Sequence, residues 1–249
     1  MAGNSAYGWD AFDSEAYLNR NYARLHNEDH KILKIVRDFL CAQSFDVGAR
    51  GVDVRSGSNL YPALAMLPFC SEISLLEFSE ANRKWLSGRL AKGYLGNWDI
   101  FWRVLAENEV YRAVQGPGEQ LRTRATVREW DILRSTPDER WDLGTMFFVA
   151  DSITTDRAEF TTALRQFIAL LKPGAPFVMT FMENFSTGNF NGYKVGTRTF
   201  PALDIVESDV EDCLSDLING REFHHIDPAA DDPIRDGYVG MILVHGHTK

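Results

Sequence analysis

VGARGVDVRSGSNLYPALAMLPFCSEISLLEFSEANRKWL, residues 47–86, decides the fold. An apolar run from Gly51 to Val54 leads into a turn that carries Asp53, Ser56 and Gly57. A helix-like stretch follows, then a second apolar run, Ile73 to Leu76, that ends at Glu77. Strand, tight turn, helix, strand and acid is the layout of a nucleoside-binding α/β unit. The turn exposes backbone N–H groups at the strand's carboxyl end, and the acid accepts both ribose hydroxyls. Glu77 stands about 20 residues beyond the glycine turn, where the ribose acid belongs.

A dinucleotide fold wants G-x-G-x-x-G. Here that register reads Arg55, Gly57 and Leu60, so two of the three glycines are missing. No pyrophosphate needs cradling. A ligand with a ribose and no phosphates fits better, and S-adenosylmethionine is the common one. The competing reading is an ordinary glycine turn in an α/β protein.

The 249 residues suffice for one large domain or two small ones; no Pro/Gly/Ser-rich linker, repeat or low-complexity tract divides them, so one domain with insertions is the simpler reading. A net charge of −9 with scattered Lys and Arg argues against nucleic acid and anionic membranes as partners. The first residues lack the basic and apolar regions of a signal peptide, and no apolar run is long enough to span a bilayer. Cys41, Cys70 and Cys213 are odd in number and far apart, which favours a reducing, cytoplasmic setting with inert thiols. The oligomeric state is not legible.

Periodicity predicts a helical segment from Asp10 to Gln43, with Ile32, Ile35, Val36, Phe39 and Leu40 on its apolar face. Strands are expected at Gly51–Arg55, Ile73–Phe78, Ala125–Ile132, Leu143–Ala150, Phe177–Met182, Phe223–Asp227 and Val239–His245. Ser79 should cap the helix that begins at Glu80, and Asp156 with Glu159 resembles a capping box. Residues 94–121 read as an irregular insertion or a short helix, and Val210–Leu217 as a helix. No long helix fits between the last two strands, so they should pair as an antiparallel hairpin. The expected architecture is a Rossmann-like, seven-stranded, mostly parallel sheet with that hairpin. Residues 1–45 form a helical lid and 46–249 the core of a single domain.

At this point the sequence resembles the nicotinamide N-, phenylethanolamine N- and thioether S-methyltransferase family, from about Tyr17 to His245. AYLNRNY is similar to the family's Y-L-x-x-x-Y segment, whose tyrosines close over the cofactor's methionine end; they fall on Tyr17 and Tyr22. DVRSGSNLYPAL is similar to D-x-G-S-G-P-T-x-Y-Q-x-L, which puts Asp53, Arg55, Ser56, Gly57 and Tyr61 at cofactor positions. LLEFSEANRKWL resembles the ribose segment, with Glu77, Phe78 and Asn82. EWDI resembles the adenine-contacting C-D-V, with Asp131 and Ile132. The resemblance implies S-adenosyl-L-methionine as cofactor and a small-molecule acceptor.

On the acceptor side, FFVADSI resembles the family's strand end with an acid; it places Asp151 at the substrate and Val149 beside the cofactor. FMENFSTGNFNGYKVG resembles the segment with a second acid and a tyrosine, here Glu183 and Tyr193. Two departures stand out: Arg55 replaces the first glycine of the turn, and the loop 184–192 is long. Plainer roles compete. Tyr17 and Tyr22 pack helices, Asp151 caps a turn, or Glu183 is a solvated strand end. His224/His225 and His245/His247 show no cysteine and no clear acid pattern, so structural or exposed histidines are expected and no metal ligand is assigned.

Three functions remain. The first is methyl transfer to a small amine, heteroaromatic nitrogen or thioether. The second, suggested by Arg55, is cyclisation of S-adenosylmethionine itself to azetidine-2-carboxylate, with release of methylthioadenosine. The third is a non-catalytic binder.

Overall fold

The computed structural model describes residues 3–54, 57–93, 96–136, 138–183, 192–229 and 239–249. The N-terminal helices are α1 (Ser14–Asn21) and α2 (Asn27–Cys41). The core then runs β1 (Arg50–Val54), α3 (Tyr61–Met66), β2 (Glu72–Glu77), α4 (Glu80–Leu90), α5 (Asp99–Leu105), α6 (Glu109–Arg112), α7 (Pro117–Arg124) and β3 (Ala125–Glu129). It continues with β4 (Leu143–Phe147), α8 (Arg157–Ala169), β5 (Pro176–Glu183), β6 (Gly192–Val195), β7 (Arg198–Pro201), α9 (Glu207–Leu214), β8 (Ile218–Ile226) and β9 (Gly240–Thr248).

Seven strands form one sheet in the order β3-β2-β1-β4-β5-β9-β8. β1 to β5 pair in parallel, whereas β9 runs antiparallel to both β5 and β8. This is the expected sheet with its terminal hairpin. The central strands β1, β4 and β5 are buried almost throughout, as strands covered by helices on both faces must be. The edge strands β3 and β8 are largely exposed. One apolar cluster joins α2, α3 and α5 to one face of the sheet, and a second joins α8 and α9 to the other. Helix α3 lies so close to β1 that a Cβ on Gly51 would stand 2.7 Å from the Met66 sulfur.

Four local expectations are revised. The N-terminal helical segment is two helices, because Tyr22 leaves helical geometry at φ −132°, ψ 13°. β4 stops at Phe147, because Phe148 takes a left-handed backbone at φ +57°. Asp156 does cap α8 by accepting from Ala158 N, but Glu159 does not complete the box; its Oε2 accepts from Thr154 Oγ1 and Asn4 N. Residues 99–124 hold three short helices rather than one, and the β6–β7 hairpin was not foreseen. Among the described residues, no helix is long and apolar enough to cross a membrane.

Candidate active site

The sheet order reverses direction between β1 and β4, which makes a switch point where a crevice opens at the strands' carboxyl ends. A cavity of about 60 Å³ lies there. Gly57, Ser58 and Asn59 come to it from the turn after β1, Glu77 from the end of β2, and Asn82 from α4. Phe147, Phe148 and Val149 come from the end of β4, and Ser152 and Ile153 from the loop beyond. Trp9, Phe12, Tyr17 and Tyr22 close it from the N-terminal segment, and Tyr193 from β6.

The Glu77 carboxylate is buried and its two oxygens each accept one backbone N–H. Oε2 takes that of Gly57 at 3.1 Å and Oε1 that of Ser79 at 2.7 Å. Each oxygen keeps lone-pair capacity for a ribose hydroxyl. Gly57 holds φ +51°, a conformation glycine adopts without strain, and this aims its N–H at Glu77. Ser58 and Asn59 line the cavity, and their Oγ and Nδ2 atoms are buried with no hydrogen-bond partner among the described residues. Buried donors of this kind call for a polar ligand. Phe78, the residue after Glu77, and Asp131 line a further cavity of about 220 Å³ with Leu133 and Glu159.

A small cavity of about 20 Å³ shares Tyr17, Tyr22, Phe148 and Ser152 with the first and adds Asn21, Asp29, Met182 and Met241. Asp29 stands in the first turn of α2 and is only 2% exposed. Its Oδ1 accepts the Tyr61 hydroxyl at 3.1 Å, while Oδ2 has no partner among the described residues. Burial pushes this carboxyl up to about 7, and the Tyr61 bond only partly opposes that. The one described non-glycine residue with positive φ, Phe148, forms a wall common to both cavities. Left-handed backbone at such a residue costs of order 1–3 kcal/mol and clusters at functional sites.

The N-terminal segment is pinned over the crevice. Asp10 Oδ1 accepts Glu80 N at 2.8 Å, Ser14 Oγ donates to Asn82 Oδ1 at 2.6 Å, and Glu15 accepts the Trp85 indole N–H at 2.9 Å. Trp9 stacks on Phe200 of β7 at 5.2 Å, and Tyr17 meets Tyr193 edge-on at 6.4 Å. The hairpin and the N-terminus thus form one roof.

Of the residues expected at the cofactor, Tyr17, Tyr22, Gly57, Glu77, Asn82 and Val149 line the first cavity, as does Tyr193. Arg55, Ser56 and residues 184–191 of the long loop lie outside the described residues. Five assignments are displaced from these cavities. Asp53 faces the sheet and accepts the Thr145 hydroxyl of the neighbouring strand at 2.6 Å. Tyr61 is buried, stacked on Phe101 at 5.5 Å, and reaches the second cavity only through Asp29. Ile132 is packed in the core. Asp151 Oδ2 accepts Met182 N at 3.1 Å and so ties the end of β4 to β5. Glu183 pairs with His225 Nε2 at 2.5 Å. The acid that does face the second cavity, Asp29, was hidden in what reads as the polar side of an amphipathic helix. Its one sequence signal is the acidic pair Glu28-Asp29 at the helix start, which reads equally as a favourable dipole interaction.

A model of the NNMT/PNMT/TEMT family matches residues 3–228. No curated protein matches the sequence. Three solved structures illustrate the fold. N-methyltransferase NodS from Bradyrhizobium japonicum WM9, in complex with S-adenosylhomocysteine, is 13% identical, covers 96% of this chain and 94% of its own, and superposes with a TM-score of 0.55. An S-adenosylmethionine-dependent methyltransferase from Clostridium acetobutylicum is 11% identical, with 92% and 95% covered and a TM-score of 0.57. The amino pentose methyltransferase CalS10 from Micromonospora echinaspora, with S-adenosylmethionine bound, is 13% identical, with 94% and 97% covered and a TM-score of 0.52.

Proposed function

The chain belongs to the NNMT/PNMT/TEMT family of S-adenosylmethionine-dependent methyltransferases, and from that premise we propose that it methylates a nitrogen of a small molecule held against Asp29. The observation that carries this reading is the pair of cavities with a common wall. One is bordered by Glu77, the other by a buried carboxyl group with one oxygen unpartnered among the described residues.

S-adenosylmethionine supplies an electrophilic methyl group on a sulfonium cation. Glu77 takes the ribose hydroxyls, and Ser58 and Asn59 offer donors for the anionic end of the methionine chain. Tyr17, Tyr22 and Tyr193 present aromatic walls to the sulfonium, and such contacts are worth about 0.5–2 kcal/mol each. The N-terminal roof keeps water away from the methyl group.

In-line displacement needs an acceptor lone pair about 3–3.5 Å from the methyl carbon. An ammonium has none, so the acceptor must arrive neutral or shed a proton. On this reading Asp29 Oδ2 accepts an N–H from the acceptor and orients its lone pair towards the common wall. A carboxyl poised near neutral pH takes a proton more readily than one at its ordinary value. On this reading Asp29 takes the part first assigned to Asp151 and Glu183; Asp151 Oδ2 accepts Met182 N, and Glu183 Oε2 pairs with His225.

The test is product analysis after incubation with S-adenosylmethionine and a panel of primary, secondary and heteroaromatic amines. The expected products are S-adenosylhomocysteine and an N-methylated amine. Methylthioadenosine formed without any acceptor would replace this reading with self-cyclisation, and cofactor binding without any product would leave a non-catalytic binder.

A further inference from the structure

The sheet's outer hairpin brings together three groups that are remote in sequence. In the antiparallel register of β8 and β9, Glu222 lies opposite His245, and His224, two residues on, shares that face. The Nε2 atoms of His224 and His245 are 3.1 Å apart. Glu222 Oε1 is 3.5 Å from the first and Glu222 Oε2 is 3.9 Å from the second. All three ligand atoms fall within 4.8 Å of one another. None of these residues lines the cofactor or acceptor cavities.

Two neutral imidazoles meeting nitrogen to nitrogen share one proton at best. The arrangement here adds a carboxylate on the same side, so three lone-pair donors converge on one point. His245 is held in place by Phe39 of α2, which stacks on it at 4.1 Å and 21°, and its Nδ1 is buried with no partner among the described residues. That leaves Nε2 as its outward-facing atom. His247, which shares the face, is already bonded to Gln43 Oε1 at 2.9 Å and is not a ligand.

Two nitrogens bound to one tetrahedral zinc at about 2.0–2.1 Å stand roughly 3.3–3.4 Å apart. The observed 3.1 Å differs by a few tenths of an ångström. The longer distances to Glu222 close by rotation of a side chain that is 64% exposed, on the side from which an ion would arrive. A set of two imidazoles and one carboxylate suits zinc and its transition-metal neighbours, whereas calcium and magnesium want oxygen. We propose that Glu222, His224 and His245 form a binding site for a transition-metal dication, best matched by Zn²⁺, with solvent as the fourth ligand. Such an ion would clasp β8 to β9 at the sheet's edge. Sequence spacing concealed the site, because only strand pairing brings His224 to His245.

The experiment uses tag-free, chelator-stripped full-length protein titrated with Zn²⁺ by calorimetry, with thermal unfolding followed in parallel. The expected result is saturable 1:1 binding, micromolar or tighter, with a rise in Tm. His224→Gln, at a position 26% exposed, should weaken Zn²⁺ at least tenfold and leave S-adenosylhomocysteine affinity unchanged. Glu222→Gln should weaken it less. No saturable uptake by the wild type, or equal uptake by His224→Gln, overturns the proposal.

Discussion

Asp29→Asn is the most informative single substitution. Asparagine keeps the shape of the side chain and an oxygen for the Tyr61 hydroxyl, but it does not titrate. In the wild type, burial raises this carboxyl from an ordinary 3.8 to about 7. A raised acid binds its proton more tightly in the folded state than in the unfolded one. Folding is therefore favoured at low pH, and that advantage drains away between pH 3.8 and about 7. At about 1.36 kcal/mol per pKa unit, the whole interval is worth about 4 kcal/mol, and the part above pH 5 about 3 kcal/mol. For a chain of this size, 1 kcal/mol moves Tm by about 2–4 °C. Between pH 5 and pH 8 the wild type should lose roughly 6–12 °C of Tm relative to Asp29→Asn. Groups common to both proteins cancel in this difference. The assay is calorimetric or fluorescence-monitored melting of the two proteins without ligand across that range. Parallel curves would show that Asp29 does not carry a strained, uncompensated carboxylate. In turnover, losing a charge-assisted bond of about 1.5–3 kcal/mol should lower kcat/KM for the amine by about 10- to 150-fold. S-adenosylhomocysteine affinity should change less than threefold; a larger loss would place Asp29 at the methionine end instead.

Glu77→Ala should weaken S-adenosylhomocysteine by tenfold or more, because two charge-assisted hydroxyl bonds are lost; unchanged calorimetric affinity in a folded variant would remove Glu77 from the site. Asp151→Ala should lower stability by about 1–3 kcal/mol, because Met182 N loses its acceptor, whereas a folded variant of unchanged Tm that is inactive only with the amine would restore Asp151 to the acceptor site. Backbone amides of residues 9–22 should exchange more slowly once S-adenosylhomocysteine is bound, and equal exchange with and without it would make the N-terminal segment permanent packing rather than a roof that closes.

The sheet was legible because its information is local. Continuous apolar runs mark strands covered on both faces, and the turn carrying Gly57 with an acid twenty residues on marks the nucleoside crevice. Tyr17, Tyr22 and Glu77 come to the first cavity from segments whose backbone is set by neighbours in sequence. The surroundings of the residues that lie away from the cavities depend on contacts across the fold. Nothing near Asp151 in sequence reveals that Met182 N will claim its carboxylate, or that His225 will claim Glu183. Asp29 was missed for the converse reason. An acid in the first turn of a helix has a sufficient local explanation, and only the docking of α2 against Tyr61 buries it. The β6–β7 hairpin escaped because its four-residue strands are too short for alternation to register. Phe148 escaped because a left-handed aromatic has no sequence signature.

A crystal structure with S-adenosylhomocysteine tests the account most directly. The ribose hydroxyls should lie within hydrogen-bonding distance of the Glu77 carboxylate, and the sulfur should face the wall formed by Tyr17, Tyr22 and Phe148. The Asp29 cavity should remain open on the far side. A nucleoside bound away from Glu77, or a methionine chain filling the cavity at Asp29, would contradict it.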